Sequence, residues 1–161
     1  LSTTPEQTDR FIRLVNSRLK FSLYLLWKLP SAWLAGVRVQ EMDAQRCVIR
    51  VPYRWLSQNP FRSTYFACLA MAAEMSTGLL SMAYAGPRVS MLVTGMEGIF
   101  LKKAVSITWF TCDEGERIKA AIQTALDTGG SSAVTIAVTG KSAEGTEIAT
   151  FRITWSYKAK N

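Results

Sequence analysis

One carboxylate stands inside the most apolar stretch of the chain. Residues 63–85 contain no proline, one glycine and a single charged side chain, Glu74. A helix that is apolar all round is enclosed by protein or by lipid, and Ala67, Ala70, Ala73, Ser76, Gly78 and Ala83 let other backbone approach it closely. A carboxylate in such a helix is costly unless it is paired, protonated or put to work. Glu74 is therefore the residue to explain. From the residues alone it reads first as a structural acid paired with Arg or Lys across an interface between copies. Cys68 shares the stretch but has no partner base, because the chain contains no histidine, so it reads as a small buried side chain. The missing histidine also removes Ser-His-Asp and Cys-His catalysis and histidine metal ligation. An enzyme built from this chain must use a carboxylate, a lysine, a tyrosine or the backbone.

The elements around that stretch must hold it. At 161 residues the chain fits one domain with a proper core. Nineteen Lys and Arg against 12 Asp and Glu leave a net charge of +7, which favours an anionic partner. The basic residues are scattered and no recognition motif accompanies them, so nucleic acid is not expected. Cys47, Cys68 and Cys112 are odd in number, far apart and form no C-x-x-C pair. Neither a disulfide framework nor a metal site is expected, and a reducing, cytoplasmic setting fits. The start carries Glu6 and Asp9 and lacks the apolar core of a signal peptide.

Thr4 as N-cap, Pro5 at the first position and Gln7 as the capping-box partner predict a helix. Phe11, Leu14, Val15 and Leu19 fall on one face, and Pro30 is expected to stop the helix. It reads as packed on the domain, since its apolar run is too short to span a bilayer. A basic amphipathic helix in peripheral contact with a membrane is the competing reading. Alternation predicts strands around Val37 and Val39 and around Cys47, Ile49, Val51 and Tyr53, joined by a turn at Asp43 and Ala44. Asn59-Pro60 signals a turn before the apolar helix. A long strand over 88–101 should bend at Gly95 and Gly98, and Lys102-Lys103 turns into a strand carrying Val105, Ile107 and Trp109. Asp113 and Glu116 suggest a capped helix with Ile118, Ala121, Ile122, Ala125 and Leu126 on one face, ended by Gly129-Gly130. Val134, Ile136 and Val138, then Phe151, Ile153, Trp155 and Tyr157, alternate along a final strand pair. Those aromatic residues read as core. About six antiparallel strands against one apolar helix is an α+β layout. A membrane-spanning helix over 64–85 is disfavoured by Glu74 and the hydroxyls of Ser76, Thr77 and Ser81.

The arrangement resembles the hotdog fold, in which a curved antiparallel sheet wraps a central helix and protomers pair. Many acyl-CoA thioesterases of that superfamily carry N-x-x-G-x-x-H-G-G, with an acid fifteen residues after the Asn. Asn59 stands at the Asn position and Glu74 lies fifteen residues on. The string N-P-F-R-S-T-Y-F-A…M-A-A-E, with F-L-K-K-A later, looks closer to a branch known as a domain of unknown function. The resemblance covers roughly residues 35–158. It implies a hotdog domain over 35–161 with an N-terminal helical extension over 1–34. Arg62 replaces the family's first Gly, Tyr65 its His, and Phe66 and Ala67 its Gly pair.

By that resemblance the protein is a thioesterase acting on acyl-CoA, with coenzyme A as part of the substrate and no separate cofactor. Glu74 activates water or attacks directly, and the backbone N–H of Phe66 faces the oxyanion, helped by the helix dipole. Asn59 positions water or substrate, and Tyr65 donates a hydrogen bond. Arg62, Arg88, Lys102 and Lys103 are candidates to meet the coenzyme A phosphates. A homodimer or dimer of dimers is implied. The alternative is a non-catalytic binder of acyl-CoA, fatty acyl or lipid, in which bulky Tyr65 and Phe66 reshape the pocket. A hotdog dehydratase is disfavoured because that chemistry uses a histidine in the relatives.

Overall fold

The computed structural model describes residues 4–160. Leu1, Ser2, Thr3 and Asn161, included in the domain limits expected above, lie outside them. Three helices come first: α1 (Pro5–Asn16), α2 (Arg18–Lys28) and α3 (Pro30–Ala35). Both halves of the Thr4–Gln7 capping box form. The single helix expected here is broken, however. Asn16 donates through Nδ2 to the Met42 carbonyl at 2.7 Å and accepts from the Met42 N–H at 3.0 Å. This pins the end of α1 to the sheet, and Ser17 turns out of helical geometry. Pro30 ends α2 and also opens α3, where its missing N–H costs nothing. Of the face expected to pack, Val15 is buried and Phe11 rests on the core, whereas Leu14 and Leu19 face solvent.

Strands β1 (Arg38–Met42) and β2 (Cys47–Val51) form the expected hairpin, with the Asp43 carboxylate accepting from the N–H groups of Gln45 and Arg46. After a short 3-10 turn at Trp55–Ser57 comes α4 (Phe66–Ala85), then β3 (Val89–Phe100), β4 (Thr108–Cys112), α5 (Gly115–Thr128), β5 (Ser131–Lys141) and β6 (Glu147–Ala159). All strand pairs are antiparallel, in the order β1-β2-β4-β5-β6-β3. The sheet curls around α4, which packs on β2, β4, β5, β6 and β3. This is the α+β hotdog layout. Within the described residues α4 alone is long and apolar enough to cross a membrane. Most of it is buried by the protein's own sheet.

Burial against the sheet on most of its circumference explains why α4 needs no polar face, while Ala67, Ala70, Met71, Glu74 and Met82 stay half-buried or exposed along one side. It starts three residues later than its composition predicts. Thr64 is held in the preceding loop, its N–H and hydroxyl both on the Ala104 carbonyl, and the Tyr65 N–H reaches the Ser57 carbonyl at 2.7 Å. Inside α4, Ser76, Thr77 and Ser81 return their hydroxyl protons to helix carbonyls, which satisfies them without water.

Two further expectations need correction. The strand after Lys103 is short, and its phase is inverted. Phe110 and Cys112 face the core, while Trp109 lies on the outer face and Val105 is exposed outside the strand. Gly140 accounts for this choice: a Cβ there would lie 2.5 Å from the Phe110 ring, so the glycine makes room for that ring rather than for Trp109. Helix α5 is capped from Glu114 without a side-chain bond, so Asp113 is not its cap. It instead pairs with Arg46 at 3.3 Å. Ile118, Ile122 and Ala125 pack inward, and Gly129, at φ 64, ends the helix. The β3 register shifts between Val93 and Gly95, as the glycine suggested, whereas Gly98 stays in register beneath the Phe151 ring.

Candidate active site

The loop 59–63 is built by Asn59. Its Oδ1 accepts from the N–H groups of Phe61 at 3.0 Å and Ser63 at 3.2 Å, and its Nδ2 donates to Ser63 Oγ at 3.1 Å. Its own N–H bonds the Ser63 carbonyl at 2.8 Å. The carboxamide is thus spent on shaping the turn, and Asn59 acts on the site through the loop it holds. The turn places Arg62 at φ 58, the only non-glycine residue with positive φ among the described residues. The left-handed geometry of the expected glycine position persists here with a Cβ on it.

That loop delivers the chain to the N-terminus of α4. Thr64 and Tyr65 are tied down by backbone bonds, and the Tyr65 carbonyl accepts from Cys68 and Leu69. Neither the Phe66 nor the Ala67 N–H has a hydrogen-bond partner among the described residues. Both stand at the positive end of the helix dipole. Ala67 reads from sequence only as a small residue at the family's Gly pair, not as a donor, and its signal is its place beside Phe66 in the first turn.

In front of this helix end lies a groove of about 360 Å³. Asn59, Phe66, Lys102 and Lys103 line it, with Leu69 and Phe100 supplying apolar wall. The Phe66 ring sits edge-on to Phe100, centroids 6.3 Å apart, and Phe100 sits edge-on to Phe151 at 5.6 Å. Lys103 Nζ donates to the Phe61 carbonyl at 3.2 Å, which closes the groove mouth against the loop. Tyr65 does not line the groove. Its exposed ring packs edge-on against Phe66, centroids 4.7 Å apart.

Glu74 lies two turns further along α4. Its Oε1 is 3.1 Å from where a Gly78 Cβ would be, and Trp155 covers the same spot at 3.2 Å. The indole is fixed there because its Nε1–H donates to Thr77 Oγ1 at 2.8 Å. The Glu74 carboxylate forms no ion pair among the described residues. Burial without a compensating charge raises its carboxyl above the usual carboxylate range. A desolvated carboxylate is a stronger base than one in water.

The structure therefore brings Asn59, Phe66, Lys102 and Lys103 to one groove, with Arg62 in the loop beside it. Arg88 is elsewhere: it follows the C-terminal end of α4, roughly 30 Å from Phe66 for a helix of this length. Cys68 is buried and burial raises its thiol, which fits the small-side-chain reading.

Several solved structures share this fold. A Pseudomonas aeruginosa protein of unknown function, described as a probable thioesterase, superposes with a TM-score of 0.73 at 17% identity, over 95% of this chain and 96% of that one. A protein of unknown function from Chlorobaculum tepidum gives 0.71 at 12% identity, over 98% of each chain. A thioesterase from Haemophilus influenzae gives 0.64 at 8% identity, over 89% and 91%. At these identities the likeness concerns the fold. No curated protein matches the sequence. The domain of unknown function DUF4442 matches residues 17–157, from the start of α2 into the last strand. By that match the chain belongs to the DUF4442 family, on a thioesterase-like hotdog fold.

Proposed function

We propose that this protein is a homodimeric thioesterase that hydrolyses acyl-CoA. The observation that carries the reading is the desolvated Glu74, without an ion pair among the described residues, on a central helix whose N-terminal N–H groups, likewise without a partner among those residues, open into an apolar groove edged by two lysines. The acyl chain lies against Phe66, Leu69 and Phe100. Lys102 and Lys103, with Arg62, meet the phosphates of coenzyme A. Glu74 takes a proton from water as its oxygen attacks the thioester carbonyl, and the N–H groups of Phe66 and Ala67 hold the oxyanion. Collapse of the tetrahedral intermediate breaks the C–S bond. The proton on Glu74 goes to the departing thiolate, leaving the acid and free coenzyme A.

Two copies are needed for this geometry. Phe66 and Glu74 are eight residues apart, about 12 Å along one helix, too far for one carbonyl to meet both. Glu74 of one protomer therefore serves the groove of the other. Strand β3 supports such pairing, as it ends the sheet with a free edge. Met96 and Phe100 on its helix-bearing side, and Met82 on α4, remain substantially exposed in the single chain. Antiparallel pairing of two β3 edges also carries Arg88 of the partner subunit toward the Phe100 end of the groove.

The test is hydrolysis of short, long and aromatic acyl-CoAs, following thiol release corrected for the protein's three cysteines. Glu74→Gln should lose roughly 100-fold or more of the turnover of a folded dimer. Undiminished turnover in that variant removes Glu74 from the mechanism. A folded dimer that turns over no acyl-CoA, yet retains an acyl ligand in native mass spectrometry, would instead be a binder.

A further inference from the structure

We infer that the outer face of α2 is a docking surface for an anionic lipid bilayer. This helix is apolar on two opposite sides. Phe21 and Leu25 are buried against the domain, while Leu19, Leu23, Leu26 and Trp27 point away from it. At about 100° per residue, those four span an arc of about 100° centred opposite the buried pair. Leu19 is 74% and Trp27 81% exposed. An exposed Leu alone means little, but four large apolar side chains on one helical face form a patch. The neighbouring elements extend it. Arg54 Nη2 ties the 3-10 turn to the Leu34 carbonyl at 2.7 Å, and Leu34, Trp55 and Leu56 are exposed there.

Charge selects the occupant. From residue 10 to residue 40 there are six Lys and Arg and no Asp or Glu. Six of the seven net positive charges of the chain therefore lie in this stretch, since the remaining 13 cations face 12 acids. Lys20 borders the α2 stripe beside Trp27, while Arg18 and Lys28 stand at the two ends of the helix, and none of the three takes part in an ion pair among the described residues. A Leu and Trp stripe edged by unneutralised cations matches the boundary between acyl chains and anionic headgroups. An apolar protein partner would leave the cations without counter-charges. The surface stays available in a β3-joined dimer, because the helix packs beside β1, at the other end of the sheet.

The inference does not depend on thioesterase activity. The full-length protein is floated with vesicles of phosphatidylcholine alone and of phosphatidylcholine with phosphatidylglycerol. Two variants are tested beside it, Leu23→Gln/Trp27→Gln and Lys20→Gln/Lys28→Gln, both at exposed positions and both checked for unchanged melting. The wild type should float with the anionic vesicles and not with the neutral ones, and should be released by high salt. Each variant should lose about tenfold or more in partitioning. No flotation with anionic vesicles overturns the inference, as does undiminished binding by the apolar variant. Binding to a DNA duplex in place of vesicles overturns it by assigning the cations to nucleic acid. A Leu23→Gln/Trp27→Gln protein of smaller mass by light scattering overturns it by giving the face to a second copy.

Discussion

At the scale of single residues, Glu74 and Arg62 both sit where their chemistry opposes their surroundings. Burial raises the Glu74 carboxyl, so the folded chain holds its proton to a higher pH than the unfolded chain does. Its favourable contribution is then complete below the unfolded value and is lost as pH rises through the folded one. Glu74→Gln cannot ionise. It should melt higher than the wild type at neutral pH, with the difference closing below about pH 4, where the unfolded carboxyl is also protonated. Thermal unfolding by circular dichroism at both pH values checks this. A variant that melts lower at neutral pH would mean that a cation meets Glu74 across a dimer seam. Arg62 holds a left-handed conformation that costs a side chain about 1 kcal/mol. Its side chain is exposed, so Arg62→Gly should gain roughly 0.5–1 kcal/mol in urea unfolding. A loss of stability would show that the guanidinium makes a contact worth more than the strain.

At the scale of elements, the joint between α4 and β6 aligns the carboxylate. Trp155 Nε1 reaches Thr77 Oγ1, whose own proton goes to the Glu74 carbonyl, and one turn on Ser81 meets the Tyr157 hydroxyl at 2.7 Å. Trp155→Phe removes a buried donor and leaves a void beside Glu74. It should cost about 1–3 kcal/mol in denaturant unfolding, and a cost near zero would mean that the indole bond does not anchor the helix. The neighbouring strands are less polar. Cys47 and Cys112 are partners across β2 and β4, both fully buried. Burial pushes the Cys112 thiol up to about 11 and raises that of Cys47 further. Neither thiol should react with a disulfide reagent at neutral pH until the protein unfolds, and fast modification of the native protein would contradict that burial.

At the scale of the whole molecule, a single chain leaves its helix-bearing concave side open along β3. If the groove is completed by a second copy, the assembly and the activity stand or fall together. Met96→Asp puts a charge on the inner side of that edge, at a position already exposed in one chain. Light scattering should then report a monomer, and acyl-CoA hydrolysis should fall to the level of Glu74→Gln. A monomeric variant with full turnover would show that one chain suffices.

The sequence alone specifies an unusual amount of this protein, for local reasons. An unbroken apolar run with one acid can only be a central helix once strands surround it. The inward alternation from Phe151 to Tyr157 is carried by the strand itself. The Asn59–Glu74 spacing pointed to a hotdog relative, and the structure has that fold. Other features arise from contacts between distant segments. The break at Ser17 depends on Asn16 finding the Met42 backbone. The inverted phase of β4 depends on Gly140 admitting Phe110. The start of α4 depends on Ala104 and Ser57 supplying carbonyls to Thr64 and Tyr65. The residue types at the site were legible, but the structure decided that Asn59 spends its carboxamide on its own loop and that Arg88 stands at the far end of the helix. It also showed the outer face of α2 to be uncovered. The Asn59 loop closes over two to four residues and Arg88 is set apart by the length of α4, whereas the uncovered face of α2 is a long-range contact withheld, which no local pattern of residues encodes.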